Sequence, residues 1–397
     1  MTAGRDSRSR PGRGSGWEVA GLFLRLGLVA FGGPAAHTAM MRHELVHRRG
    51  WVSDERFMDL LGATNLIPGP NSTELAIHLG FERARWRGLV VAGACFILPS
   101  ALIVTALAWT YVHYGDTPAV EGILYGVVPA VIAIIAHALV GLARVAIRRL
   151  WLAGLALAAL VAYLLGVNEL LVLAAGALLA ILARAVRHPP RSSPAWVVAP
   201  LVAPPLWSDP TGGSLGQLFL TMLKIGAVLY GSGYVLLAFL RGDFVERLGW
   251  LTDQQLLDAV SIGQVTPGPV FTTATFVGYL VAGPLGALLA TVAIFLPSFV
   301  FVGLLTRITN RLRSSPWTSV ALDGLNTAAL ALMAGVTMQL GQSALIDPLT
   351  IAIALTTLIL LWRTRLNSAW YVAGGALIGL ARTLLAASGV LGPGPVT

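Results

Sequence analysis

Apolar residues run along this chain in long blocks separated by short polar connections, and most blocks have the length of a membrane crossing. Stretches at 18–36, 88–112, 121–143, 215–238, 284–306, 319–340 and 368–388 are almost wholly apolar, and about 20 such residues in a helix span a bilayer core. Shorter stretches at 150–165, 169–185 and 347–362 extend the series. Lipid satisfies no backbone donor or acceptor, so these blocks predict helices. The expected fold is an all-α polytopic membrane protein.

Two blocks break the pattern. "NLIPGPNSTELAIHLG" at 65–80 and "GQVTPGPVFTTATFVGY" at 263–279 set Pro68, Gly69 and Pro70, and Pro267, Gly268 and Pro269, in mid-block. Proline removes a backbone donor and blocks the helix, so each block is expected to break into half-helices near the midplane.

The two breaks belong to one repeated design. Shifting the sequence by 199 places Gly27 on Gly226, Glu44 on Asp243, Gly50-Trp51 on Gly249-Trp250, and one Pro-Gly-Pro on the other. After one deletion, a shift of 198 places Gly80 on Gly278, Leu98-Pro99-Ser100 on Leu296-Pro297-Ser298, and Gly126 on Gly324. Glycine and proline fix backbone geometry, so their recurrence marks a tandem duplication. The reading divides the chain into an Arg-rich head (1–17), a first repeat (18–186), a Pro-rich linker (187–214), a second repeat (215–390) and a tail (391–397). The head's composition is that of a disordered segment, and no small-residue cleavage pattern follows it.

Arginine placement orients the repeats. Connections 113–121 and 166–169 carry no Lys or Arg, whereas their counterparts hold Arg307, Arg311 and Arg313, and Arg363 and Arg365; conversely Arg144, Arg148 and Arg149 face a cation-free stretch from 341 to 348, and Arg184, Arg187 and Arg191 face a cation-free tail. Positive charge stays on one side of a membrane. The halves are therefore expected to be inverted, with about five spans each, the plan of many secondary transporters. Five spans would put the head on the wrong side unless the chain turns back at Phe31-Gly32-Gly33-Pro34 or crosses again at 195–207.

Composition adds to this picture in three ways. Of 397 residues, 56% are hydrophobic and 11% charged, with a mean hydropathy of +0.76, against roughly a quarter charged in soluble domains. The net charge of +9 is arginine in connections, which the orientation rule explains without nucleic acid. Cys95 is the only cysteine, so no intrachain disulfide and no thiolate metal site forms. No HExxH, Gly-x-Ser-x-Gly or Walker sequence is present, which argues against an enzyme and for gradient-driven transport with no cofactor.

The candidate chemistry sits in the breaks. Lys224, the only lysine, and Arg25 are matched across the repeat inside apolar segments. Buried cations are costly and face a cavity or partner, although a long side chain also reaches the headgroups. A half-helix starting after the second proline points free N–H groups and its positive end inward, which suits an anion. Asn71, Ser72 and Thr73, with Thr272 and Thr273, add polar groups, Gly32 and Gly33 allow close approach, and Asn65 and Gln264 are matched hydrogen-bonders just before the breaks. Glu74 reads either as a capping-box partner of Asn71 or as a proton-coupling carboxylate. His37, His78 and His137 have the chemistry to titrate near neutral pH, with His78 and His137 taken forward as proton-coupling candidates. Glu44, Asp54, Asp243 and Asp253 alternate with arginines in amphipathic interfacial stretches capped by Ser53 and Thr252, a structural role.

"FGGP" (31–34), "ELVHRRGWVSDERF" (44–57), "PGPN" (68–71) and "FILPS" (96–100), with a looser second copy in "LYGSG", "TPGP" and "IFLPS", resemble the chromate ion transporter family in its long, two-domain form. The resemblance spans nearly the whole chain and implies a multi-pass inner-membrane carrier that expels chromate under the proton gradient. Uptake or exchange of sulfate, a dianion of the same shape, is the alternative, and a homodimer stays open. Half two lacks the Gly-Gly-Pro and Pro-Gly-Pro-Asn sequences, so half one is expected to hold more of the site.

Overall fold

The computed structural model describes residues 16–30, 33–187, 215–230, 233–312, 316–364 and 366–388. The head, linker and tail therefore lie almost wholly outside the described residues, as do Phe31, Gly32 and Arg313. The described chain is helical: α1 (Gly16–Val29), α2 (Gly33–Arg42), α3 (Asp54–Thr64), α4 (Asn71–Tyr114), α5 (Pro118–Ala146), α6 (Leu150–Leu164), α7 (Glu169–Arg187), α8 (Leu215–Val228), α9 (Leu236–Leu240), α10 (Asp253–Val265), α11 (Thr273–Leu312), α12 (Pro316–Ala344), α13 (Pro348–Arg363) and α14 (Ser368–Ala387). Short π-helical turns, His43–Arg48 and Arg241–Arg247, continue α2 and α9. Six helices, α4, α5, α7, α11, α12 and α14, contain stretches long and apolar enough to cross a membrane, and α6, α8 and α13 are shorter apolar helices.

The first helices of the halves are short for a crossing. At 14 residues each they reach about 21 Å, short of a core of about 30 Å. Arg83 pairs with Glu18 at the start of α1 and stacks over Trp51, so the start of α1, the connection after the π-turn and the turn after residue 83 share one face. α1 ends at Val29 and α2 starts at Gly33, with His37 of α2 reaching back to the Ala30 carbonyl.

α4 and α11 are each a pair of helices joined by a sharp reversal. The backbone leaves the helical region at Ala84–Arg85 and at Ala282–Gly283. Around those turns, Gly80 lies against Gly88 and Ala92, and Gly278 against Gly286 and Ala290. A Cβ on Gly80 would lie 2.3 Å from the Gly88 carbonyl oxygen, so only glycine lets the arms meet. Each half therefore has a re-entrant set of short helices, a long crossing arm, and three more apolar helices. Ser53 and Thr252 cap α3 and α10 as expected.

The last helices are exchanged between halves. α14 packs on α5, and its counterpart α7 packs on α12. Gly126 lies against Gly375, and the matched Gly324 against Gly176, close small-residue crossings of the kind that hold helices together in lipid. α5 and α12 run in opposite directions: Tyr125, early in α5, donates to Asp347 beyond the end of α12, and Asp323, early in α12, feels Arg148 and Arg149 beyond the end of α5. The repeats are inverted.

Candidate functional site

The two Pro-Gly-Pro segments meet the broken first helices at the centre of the molecule, each crossing into the other half. The Gly69 N–H donates to the Leu229 carbonyl at the end of α8, at 2.8 Å, and the Gly268 N–H donates to the Ala30 carbonyl at the end of α1, at 2.9 Å. Flanking prolines hold the neighbouring backbone extended, and the glycines take φ of 135° and 97°, values strained for any L side chain. Both carbonyl ends are engaged by these bonds. The field at the centre is then set by the starts of α4 and α11, the positive ends.

Gly69 abuts Glu74 and Ser298. A Cβ there would fall 2.3 Å from Glu74 Oε1 and 2.7 Å from Ser298 Oγ. Glu74 and Ser298 are fully buried; the serine hydroxyl is set against the carboxyl, but no hydrogen bond of full geometry satisfies either group. The capping-box reading of Glu74 does not hold: α4 is preceded by Pro70 with no side-chain cap, and the carboxyl turns across to the other half. In the matched crossing, Thr272 donates to the Pro269 carbonyl at 2.8 Å, so Ser100 donates its hydroxyl to Thr272 Oγ1, at 2.9 Å. The two crossings differ: by the repeat Thr272 matches Thr73, while Glu74 matches Thr273, which donates to the Val270 carbonyl at 2.9 Å.

Around this pair, α2 begins at Gly33, whose φ of 77° starts the turn that brings His37 inward. His37 Nε2 lies 3.0 Å from the Ala30 carbonyl and Nδ1 3.2 Å from Ser72 Oγ. The carbonyl fixes Nε2–H as donor, leaving Nδ1 to accept from Ser72. Asn71 donates to Asn65 across the Pro-Gly-Pro turn at 2.8 Å. Gln264, matched to Asn65, keeps a buried Nε2 with no partner, as do Thr73 Oγ1 and His78 Nε2. Pro68, Pro70, Pro267 and Pro269 are buried with them. His137 lies away from these segments in sequence, on α5, with Nδ1 unpartnered. Gly32 lies outside the described residues.

Arg25 and Lys224 sit differently from the sequence expectation. The Lys224 ammonium donates to Asp243 at 2.5 Å, with the two side chains 16% and 9% exposed; Arg25 is exposed, and the carboxylate it acts on is Glu44. Each cation precedes its carboxylate by 19 residues, on the first helix and the π-turn of its own half. A cation in a poor solvent takes the nearest carboxylate, and the repeat supplies one. Both lie five residues before the carbonyl that meets the other half, about 7.5 Å along the helix axis.

Sequence reasoning passed over Ser100 and Ser298 and did not bring His37 into the site. The signal for the serines was present: Leu-Pro-Ser occurs at the same register in both halves, and a proline mid-crossing followed by a hydroxyl marks a packed break.

Comparisons place this geometry among known sequences. The sequence model of the family described as "Chromate transporter" matches twice, over residues 17–181 and 216–380. The chain is 36% identical over 368 residues to the chromate transport protein of Cupriavidus metallidurans, covering 90% of this chain and 91% of that one. It is 35% identical to the probable chromate transport protein of Synechococcus elongatus, covering 87% and 90%, and 32% identical to the chromate transport protein of Pseudomonas aeruginosa, covering 90% of each. No solved structure matches it.

Proposed function

The chain belongs to the chromate transporter family, and on that footing we propose that it is a secondary carrier that moves chromate out of the cell, coupled to the proton gradient. The observation that carries this reading is the central crossing. Two inverted half-helix starts converge there, both opposing carbonyl ends are already bonded, and fully buried polar atoms of Glu74, Ser298 and Thr73 make no hydrogen bond of full geometry. Buried polar groups in proteins are normally satisfied, and a cluster of open ones between two half-helix starts suits a ligand that comes and goes.

In this reading the N–H groups at the starts of α4 and α11, with Asn71, Ser72, Thr73 and Gln264, receive the oxyanion once the crossing opens. Glu74 carries the proton, with His78 one turn along the same face of α4. Arg25 and Lys224 act from the flanks, Lys224 held by Asp243 and Arg25 within the field of Glu44, and set the field along the approach. The arginine-rich connections put the Trp51 face in the cytoplasm.

The test is flux in proteoliposomes with an imposed pH gradient, comparing chromate, sulfate and molybdate. Outward chromate movement that collapses when the pH gradient is dissipated supports the reading. Preferential inward sulfate movement makes the protein an importer, and no oxyanion flux in either direction refutes a carrier.

A further inference from the structure

We propose that Glu74 and Ser298 form a proton site shared between the two halves, which the closed crossing holds only in its neutral form, so that proton and oxyanion are carried in opposite directions. This rests on the carrier reading above and gives it a sign.

The argument starts from the unequal crossings. Ser100 and Thr272 make a neutral, satisfied pair in one; in the other, Ser298 faces Glu74. A protonated carboxyl presents an O–H and an acceptor to a hydroxyl, as threonine does, and fits the same packing. An ionised one does not. It keeps only the Ser298 hydroxyl set against it as a donor, and among the described residues no lysine or arginine pairs with it. Burying such a charge costs several kcal/mol. The titratable groups around it are Tyr230 from the other half, on which Glu74 acts, His78 along α4, and His37, which reaches Ser72 in the same first turn. None supplies a fixed positive charge.

The closed crossing also leaves no room for a tetrahedral anion between Gly69, Glu74 and Ser298. Even one added carbon on Gly69 would overlap both side chains. The arrangement that requires the proton is thus one that excludes the solute from this point, and the arrangement that admits the solute must part these groups and lets water reach the carboxyl. Proton and oxyanion stabilise different forms. Linkage makes that antagonism reciprocal: each ligand lowers the other's affinity by the same factor. A proton entering down its gradient returns the empty carrier, and the oxyanion leaves on the other stroke.

The experiment uses the purified full-length protein in detergent, weakly buffered at mildly alkaline pH, where chromate itself is fully deprotonated. Chromate is added and the proton balance read with an indicator dye. Release of protons on chromate binding is expected, with apparent affinity falling about tenfold per unit of pH on the acid side where one proton is exchanged. Glu74→Gln, neutral at every pH, should bind chromate more weakly, release no protons and lose the pH dependence. Proton uptake or no change on chromate binding by the natural protein would overturn the proposal, as would persistent release from E74Q. Absence of chromate binding by the natural protein would overturn the carrier reading as well; binding without proton release overturns the coupling alone.

Discussion

Lys224 offers the sharpest test of what the intramembrane cations do. If Lys224 serves to neutralise Asp243, replacing either one alone should hurt and replacing both should hurt less. The magnitudes follow from the surroundings. Asp243 has a second cation, the Arg247 Nε at 3.1 Å, with the carboxylate side chain 9% exposed. Lys224→Met therefore leaves the carboxylate partly paired and should cost about 1–2 kcal/mol, below the 3–5 of a fully orphaned buried charge. Asp243→Asn strands a lysine that is 16% exposed and should cost about 3 kcal/mol. The double variant removes both charges, and the coupling energy between the sites is expected at about 1–3 kcal/mol. The assay is the thermal midpoint of purified protein in detergent for the four forms of the cycle, read beside chromate flux in proteoliposomes. Additive losses would refute the pairing argument. A double variant that regains stability but stays devoid of flux would place the lysine against the solute instead.

Three further outcomes are expected. In a Cys95→Ser background, single cysteines at Arg148 and Ile346, matched by the 198 shift, should be labelled by an impermeant reagent from opposite faces of the membrane; labelling from the same face would dissolve the inverted architecture. Gly126→Ala puts a Cβ 1.9 Å from the Gly375 carbonyl oxygen and should lower stability by about 1–3 kcal/mol, whereas Gly154→Ala, with nothing within 4 Å, should leave the thermal midpoint unchanged. Burial pushes the Asp347 carboxyl up, but the Thr350 N–H, the Tyr125 and Thr350 hydroxyls and Arg382 outweigh it and hold the group below the usual carboxylate range. Its contribution is then present above the unfolded value, about 3.9, and is lost as pH falls through the lower folded value. The natural protein should lose stability over that acid window, and Asp347→Asn should lack that component.

What was legible in the sequence is what glycine and proline write. Pro68-Gly69-Pro70 and Pro267-Gly268-Pro269 announced the breaks because those residues dictate backbone geometry, and the matched glycines announced the repeat. The arginine pattern announced inversion, since it reflects a membrane-wide asymmetry. Hydropathy misled at 18–36 and 215–238, which read as full crossings although the first helices end at Val29 and Val228. An apolar run reports its solvent and says little about where a chain reverses. Contacts between halves were illegible: that Ser298 would face Glu74, or that Gly69 would bond Leu229, depends on how two distant surfaces dock, which no local period encodes. The carboxylate partners of Arg25 and Lys224 were already visible as interfacial residues, but in a string 19 residues of spacing gives no contact.

The division of labour between parts of the molecule follows from how they are held. α5 and α12 are each clamped by the terminal helices of the opposite half, through glycine crossings in which backbone meets backbone. Packing of this kind is bistable at best and resists gradual sliding. The central elements are bound otherwise: α1, α2, α3, α8, α9 and α10 are short, and the halves meet there through one backbone hydrogen bond at each Pro-Gly-Pro, the Ser100–Thr272 and Tyr111–Asp258 pairs, the Glu74–Ser298 contact, and apolar packing of α4 on α11 around Ile77, Leu89, Phe299 and Val302. Each hydrogen bond contributes about 1 kcal/mol net. Opening the centre therefore costs these few polar interactions and the part of the α4–α11 packing that moves with them, whereas separating the exchanged helices would undo the glycine crossings as well. Motion belongs to the interrupted segments, and the Glu74–Ser298 contact between the halves there is one whose strength depends on a proton.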